Sequence, residues 1–227
     1  MLDNDARSRV LVTGVGHHYG DGTWLFRDVN LDLSIGVVTA LVGPSGAGKS
    51  TLLAILSGGL TPAEGDVQWV GIDGITSVSQ SAHGVARRTV MDHIVLPLLV
   101  AGNSRGEAER MALPIASQFN IGHLLDSPYR QLSGGEAQRL MLARAAAHDG
   151  GLILADEPTA NLDVGNARGV IEVLGSLASR GAVVVVATHD PLARDACDEV
   201  IDLAEAAGSF SPSLRRDPSD PRPARAE

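Results

Sequence analysis

The stretch from Val37 to Leu56 constrains the fold of this 227-residue chain more than any other part of it. VVTALV (Val37 to Val42) is an unbroken apolar run, which reads as a parallel strand buried on both faces. GPSGAGKS (Gly43 to Ser50) follows with every fixed position of the phosphate-loop pattern filled, and TLLAIL continues as a helix. Strand, glycine loop and helix in that order aim unpaired backbone N–H groups and the positive end of a helix dipole at one point, a site for phosphate oxygens. Lys49 is placed to neutralise the outer phosphates of a nucleoside triphosphate, and the Ser50 hydroxyl to ligate Mg²⁺. The candidate phosphate contacts are Gly43, Pro44, Ser45, Gly46, Ala47, Gly48, Lys49, Ser50 and Thr51.

GLILADEP (Gly151 to Pro158) reads as a second buried strand, with Asp156 and Glu157 emerging at its carboxyl end. Open α/β sheets bind their ligands there. Asp156 is the candidate Mg²⁺ carboxylate. Glu157 is the candidate general base, or positioner, for an attacking water, a role worth roughly 10²–10⁴-fold. Two adjacent acids at a strand end would alone read as a solvated turn; the phosphate loop upstream decides against that.

LSGGEAQR (residues 132–139) is the third motif. Ser133 and Glu136 form a capping box, so a helix starts here and is carried by the apolar-periodic run from Ala137 to Ala147. Gly134 and Gly135 have no Cβ, which lets a phosphate from outside approach the backbone N–H groups. Taken with GPSGAGKS and LADEP, the octapeptide resembles the signature of ATP-binding-cassette (ABC) ATPases, whose members sandwich ATP between two copies. The resemblance covers residues 10–203. It implies an α/β fold: a P-loop NTPase core of the ABC type with an antiparallel β subdomain and an inserted helical subdomain.

The resemblance also implies roles, residue by residue. Ser133, Gly134, Gly135 and Glu136 serve the ATP bound by the partner copy. Gln80 touches Mg²⁺ and senses a membrane partner, with Ser50 and Asp156 completing the metal set. His189, in ATHD, contacts the γ-phosphate. Tyr19 stacks on adenine, although its position alone also suits a strand core residue. Asn161–Leu162–Asp163 occupies the loop that communicates across the dimer. ATP and Mg²⁺ are the implied cofactors, and the implied partners are a second copy of the chain and a separate transmembrane permease, which would hold the protein at the cytoplasmic face of the membrane. TVMDHIVLPLL (Thr89 to Leu99) and ILADEPTANLD resemble the group of lipoprotein-releasing and macrolide-export ATPases, which leans toward export or mechanical work. The alternative is a soluble ABC ATPase of the iron–sulfur assembly type, which would share every ATP motif.

Composition removes other classes. Lys and Arg total 18 against 27 Asp and Glu, a net charge of −9, which argues against non-specific nucleic-acid binding. Cys197 is the single cysteine, with no internal partner, and reads as a small core residue in a reducing cytosol. No segment approaches the roughly 18–20 apolar residues of a membrane span. MLDNDARSRV carries acids and lacks the apolar core of a signal peptide.

Along the chain, residues 10–33 read as antiparallel strands with a turn at Gly20–Asp21–Gly22. VQWV (67–70) and ITSVS (75–79) complete the first part of the core, and the short stretch from Gly65 to Gln80 leaves the shape of the small antiparallel sheet open. Residues 81–132 read as the helical subdomain, with a capping box at Ser104 and Glu107. A helix from Val164 to Ser179, the strand VVVV (183–186) and a last strand VIDL (200–203) end the domain at residue 206. Residues 207–227, rich in Pro, Ser, Arg and Asp, read as a disordered tail.

Overall fold

The computed structural model describes residues 8–20, 22–78, 84–148, 151–160, 164–206 and 214–215. In chain order the elements begin with β1 (Arg9–Tyr19), β2 (Thr23–Ser34), β3 (Val38–Val42), α1 (Lys49–Leu56), β4 (Glu64–Val70) and β5 (Ile75–Val78). Then come α2 (Val90–Val100), α3 (Arg105–Gln118), α4 (Gly134–Ala146), β6 (Leu152–Asp156), α5 (Val164–Ser179) and β7 (Val183–Ala187). The domain closes with α6 (Pro191–Asp195), β8 (Glu199–Asp202), α7 (Leu203–Ala206) and β9 (Leu214–Arg215). Short 3₁₀ turns at Gly122–Leu124 and Tyr129–Gln131 lie between α3 and α4.

The strands form two sheets. β2-β1-β4 is a three-stranded antiparallel sheet, and β5-β6-β7-β3-β8-β9 is a six-stranded sheet, parallel from β5 to β8. The two strands within the short 65–80 stretch therefore separate: VQWV pairs with β1, while the strand at 75–78 crosses over to β6. Of residues 207–227, Leu214–Arg215 fall within the described residues, and these pair antiparallel with β8.

The unbroken apolar runs are explained by the layers. On β6, Leu152 and Leu154 join one buried cluster with Leu41, Leu52, Ile55 and the inner residues Phe26, Val29, Leu31 and Leu33 of β2. Ile153 and Ala155 point the other way, into a cluster built with α2 to α5. A strand covered on both faces has no solvent side, so its period-2 alternation disappears. β2 lies in the sheet with one outer face, and its burial alternates accordingly over its second half. Capping boxes start α2 at Thr89 with Asp92, and α3 at Ser104 with Glu107. Arg105 joins the two helices, donating to Asp92 at 3.0 Å and to Glu109 at 2.6 Å.

Cys197 is buried, and burial pushes its thiol up to about 12. Its Sγ donates to the Ala193 carbonyl at 3.2 Å, so it behaves as a small core residue.

Candidate nucleotide site

The carboxyl ends of β3, β6 and β7 lie in neighbouring register, and each hands the chain to a loop bearing polar groups. From β3 the chain runs through residues 43–48 into α1. Gly43, Gly46 and Gly48 have φ of 146°, 83° and 96°. A Cβ on Gly48 would stand 2.7 Å from Leu25 Cδ2 and from Phe26 Cδ1. Glycine is required there twice, for its left-handed backbone and for the close approach of β2. α1 starts without a side-chain cap and without an acidic residue in its first turn. Its first N–H groups and dipole end are thereby kept for an anion. The Lys49 ammonium donates to the carbonyls of Gly43 at 2.8 Å and Pro44 at 3.2 Å, which holds the charge over the loop.

Tyr19 ends β1 beside this helix start, exposed, with its hydroxyl 3.2 Å from Thr51 Oγ1. Ser50, Ser77 and Asp156 line one cavity, walled by Leu53, Val78 and Leu154. Its polar donors are all oxygens, hydroxyl and carboxylate, the chemistry a hard dication such as Mg²⁺ selects. Ser50 and Asp156 thus fit the metal role expected of them. Gln80 and Asn161–Asp163 lie outside the described residues.

Glu157 is held at both its backbone and its side chain. Its backbone sits in the left-handed region at φ 49°, a conformation that costs a side-chain-bearing residue about 1–3 kcal/mol unless its surroundings enforce it. They do so here. The Glu157 N–H donates to the Ala187 carbonyl of β7 at 2.9 Å, and its own carbonyl accepts from Gln138 Nε2 at 3.3 Å. On the side chain, His189 Nδ1 lies 2.7 Å from Oε1, and Thr188 Oγ1 is 3.5 Å from Oε2. A carboxylate only accepts, so the proton of that short contact sits on Nδ1.

The LSGGEAQR segment behaves differently. Ser133 is the N-cap of α4, and the capping box is complete: the Ser133 N–H and hydroxyl both donate to Glu136 Oε2 at 2.7 Å. The Ser133 N–H, and then its hydroxyl, hold the Glu136 carboxyl below the usual carboxylate range. Ser133 and Gly134 are exposed, and a Cβ on Gly134 would meet open space. α4 packs chiefly on α2, α3, α5 and β5, whereas α1 packs on β6 and β7. The two motifs thus belong to different layers of one chain.

The sequence matches the ABC transporter family model over residues 26–160. The chain belongs to the ABC transporter family. The lipoprotein-releasing system ATP-binding protein LolD of Granulibacter bethesdensis is 35% identical over 78% of this chain and 84% of that protein. The macrolide export ATP-binding/permease protein MacB 1 of Aeromonas hydrophila is 32% identical over 94% of this chain but only 35% of its own length. The chain likewise spans 62% of the length of the mycobacterial ABC transporter ATP-binding proteins that it matches at 36% identity. Among solved structures, a dimeric ATP-binding cassette in a post-hydrolysis state with ADP and Pi superposes with a TM-score of 0.78 at 30% identity, covering 86% of this chain and 94% of that one. The group resemblance seen in the motifs is therefore the one the relatives carry.

Sequence reading missed parts of this ABC cassette. Gln138 is 1% exposed and reaches the backbone of Glu157 and Pro158 from α4. Its signal was a lone amide on the buried face of a helix between Ala137 and Leu140. His17 is buried against Tyr19, ring centroids 4.8 Å apart and nearly perpendicular, and nothing in the strand pattern of β1 announced that contact.

Proposed function

We propose that the chain is the ATP-binding and ATP-hydrolysing subunit of an ABC transporter. The observation that carries this reading is the Glu157 carboxylate, fixed by His189 and set beside Asp156 at the strand ends that also hold the Lys49 loop. The phosphates of ATP lie along the N–H groups of residues 43–48 and the start of α1, with Lys49 exchanging loop carbonyls for the outer phosphate oxygens. Ser50, Asp156 and Gln80 would hold Mg²⁺, and the ion, when bound, would neutralise charge building on the transferred phosphoryl group. Glu157 orients the attacking water and takes its proton on Oε2, while His189 fixes Oε1 and lies at the γ-phosphate. Tyr19, anchored through Thr51, offers its ring to the base.

Ser133, Gly134, Gly135 and Glu136 act in the other direction. They start a helix that packs on α2, α3, α5 and β5, away from the β6 and β7 strands that carry α1, and their N–H groups and hydroxyl close over the ATP held by a second copy. Two copies pair head to tail around two ATP, release after hydrolysis, and so drive a separate membrane permease through the helical subdomain of residues 81–132. The dimeric cassette and the LolD and MacB relatives support this arrangement. The protein then works at the cytoplasmic face, in export or mechanical transmission.

The test is Glu157→Gln. Hydrolysis is expected to fall roughly 10²–10⁴-fold while ATP now traps a dimer. Tagged Glu157→Gln protein recovered with ATP from solubilised membranes is expected to bring a polytopic partner at near-equal stoichiometry. Unchanged steady-state hydrolysis would remove the catalytic assignment, and a soluble dimer without a membrane partner would favour the soluble ABC ATPases.

A further inference from the structure

Gln138 occupies a place that an apolar residue would fill more cheaply. It is 1% exposed on α4, and its Oε1 has no hydrogen-bond partner among the described residues, a burial cost of about 1–3 kcal/mol. Its amide nitrogen spends both contacts on one short segment, the carbonyls of Glu157 and Pro158. Carbonyls only accept, so the NH₂ end must face them. The segment so held begins at the strained Glu157, at φ 49°, whose N–H is tied from the opposite side to Ala187. Gln138 also lies little more than one helical turn beyond Ser133, on the helix whose start is exposed for a second copy.

We propose that Gln138 is a positioning residue: it holds the left-handed Glu157 backbone so that the carboxylate is aimed, and it makes the start of α4 and the catalytic loop of the same chain one mechanical unit. Closure of Ser133–Gly135 on the partner's nucleotide then bears directly on the aim of this chain's own Glu157, so the two ATP sites of a pair are linked inside each protomer. The proposal rests on the reading of Glu157 as the base and of α4 as the cross-dimer element. Gln138 touches no substrate in this account; it acts through the Glu157 peptide.

The experiment compares Gln138→Met, similar in length and apolar, with the parent. Steady-state kcat is expected to fall roughly tenfold while KM for ATP stays within about twofold, since only the aim of the base is lost. In the Glu157→Gln background, the same substitution is expected to leave ATP-dependent dimerisation intact. An unchanged kcat in a folded variant overturns the proposal, and so does loss of the dimer, which would make Gln138 a support of the signature alone. Where Met lowers the melting temperature, Gln138→Glu, equal in shape and unable to donate when ionised, takes its place; full kcat in that folded variant is equally fatal. Normal hydrolysis by Glu157→Gln alone would fault the underlying base assignment, whereas a discrepancy confined to position 138 faults only the tie.

Discussion

Two helix N-termini in this molecule carry glycines and face phosphate in the proposed reaction, yet they are prepared in opposite ways. α1 opens on Gly48 with no side-chain cap and no acid in its first turn. α4 opens on Ser133, capped by its own hydroxyl and by the Glu136 carboxylate. The first leaves its dipole uncompensated, which costs helix stability and gains anion affinity. The second satisfies the Ser133 and Glu136 N–H groups itself and leaves those of Gly134 and Gly135 for a ligand, so it stands in water without one and adds only weakly to the binding of an anion. A site that must hold ATP in a single chain needs the first kind of end. A surface that must close and reopen on another chain's ATP needs the second.

The largest effect expected from this contrast is at α1. Lys49→Ala removes the one charge in that loop, and ATP affinity of the single chain is expected to drop roughly a hundredfold, about 2.7 kcal/mol, measured by calorimetry or a fluorescent analogue. Ser133→Arg attacks the other end. There the single chain should keep its ATP affinity within about twofold, because α4 meets only the partner's nucleotide, while ATP-driven pairing in the Glu157→Gln background is lost. A fall in single-chain affinity for Ser133→Arg would erase the contrast.

The glycines sharpen it further. Gly48→Ala forces a Cβ to within 2.7 Å of Leu25 and Phe26 at φ 96°, and a loss of about 1–3 kcal/mol with a melting temperature lower by several degrees is expected. Gly134→Ala places its Cβ in open space within a helix, so stability should hold or rise by up to about 1 kcal/mol. Only pairing should suffer. Equal melting temperatures for the two variants would mean that Gly48 is as unconstrained as Gly134.

The same contrast accounts for what could be read in advance. GPSGAGKS and LSGGEAQR are contiguous, and what they do follows from backbone geometry within a few residues: glycine φ, a cap three positions on, a dipole. β3 and β6 were equally legible, because burial on both faces leaves a single apolar run. Contacts that join distant segments were not. Gln138 meets Glu157 across 19 positions and His189 meets it across 32; the resemblance gave His189 a role at the γ-phosphate but not this contact. Likewise, VQWV and the strand at Ile75 look alike locally, and which sheet each joins is set by the partners offered by β1 and β6. The capping box at Thr89 has Asp92 in place of the usual Glu or Gln, which weakens its signal in the sequence.

The smallest expected effect separates the two ends by pH. The Glu136 carboxyl is held below its ordinary range, first by the Ser133 N–H and then by the Ser133 hydroxyl. A group depressed on folding contributes stability above its unfolded value, near 4.3, and that contribution is lost as pH falls through the lower, folded value. α1 has no acid in its first turn and so adds nothing to that window. The cap as a whole is worth about 1 kcal/mol, so the parent should lose melting temperature more steeply than Glu136→Gln between roughly pH 5 and pH 3. At neutral pH the variant should be the less stable of the two, with the curves converging in acid. Parallel curves would mean that water, not Glu136, satisfies the start of α4, and the self-sufficiency argued for that helix end would have to be given up.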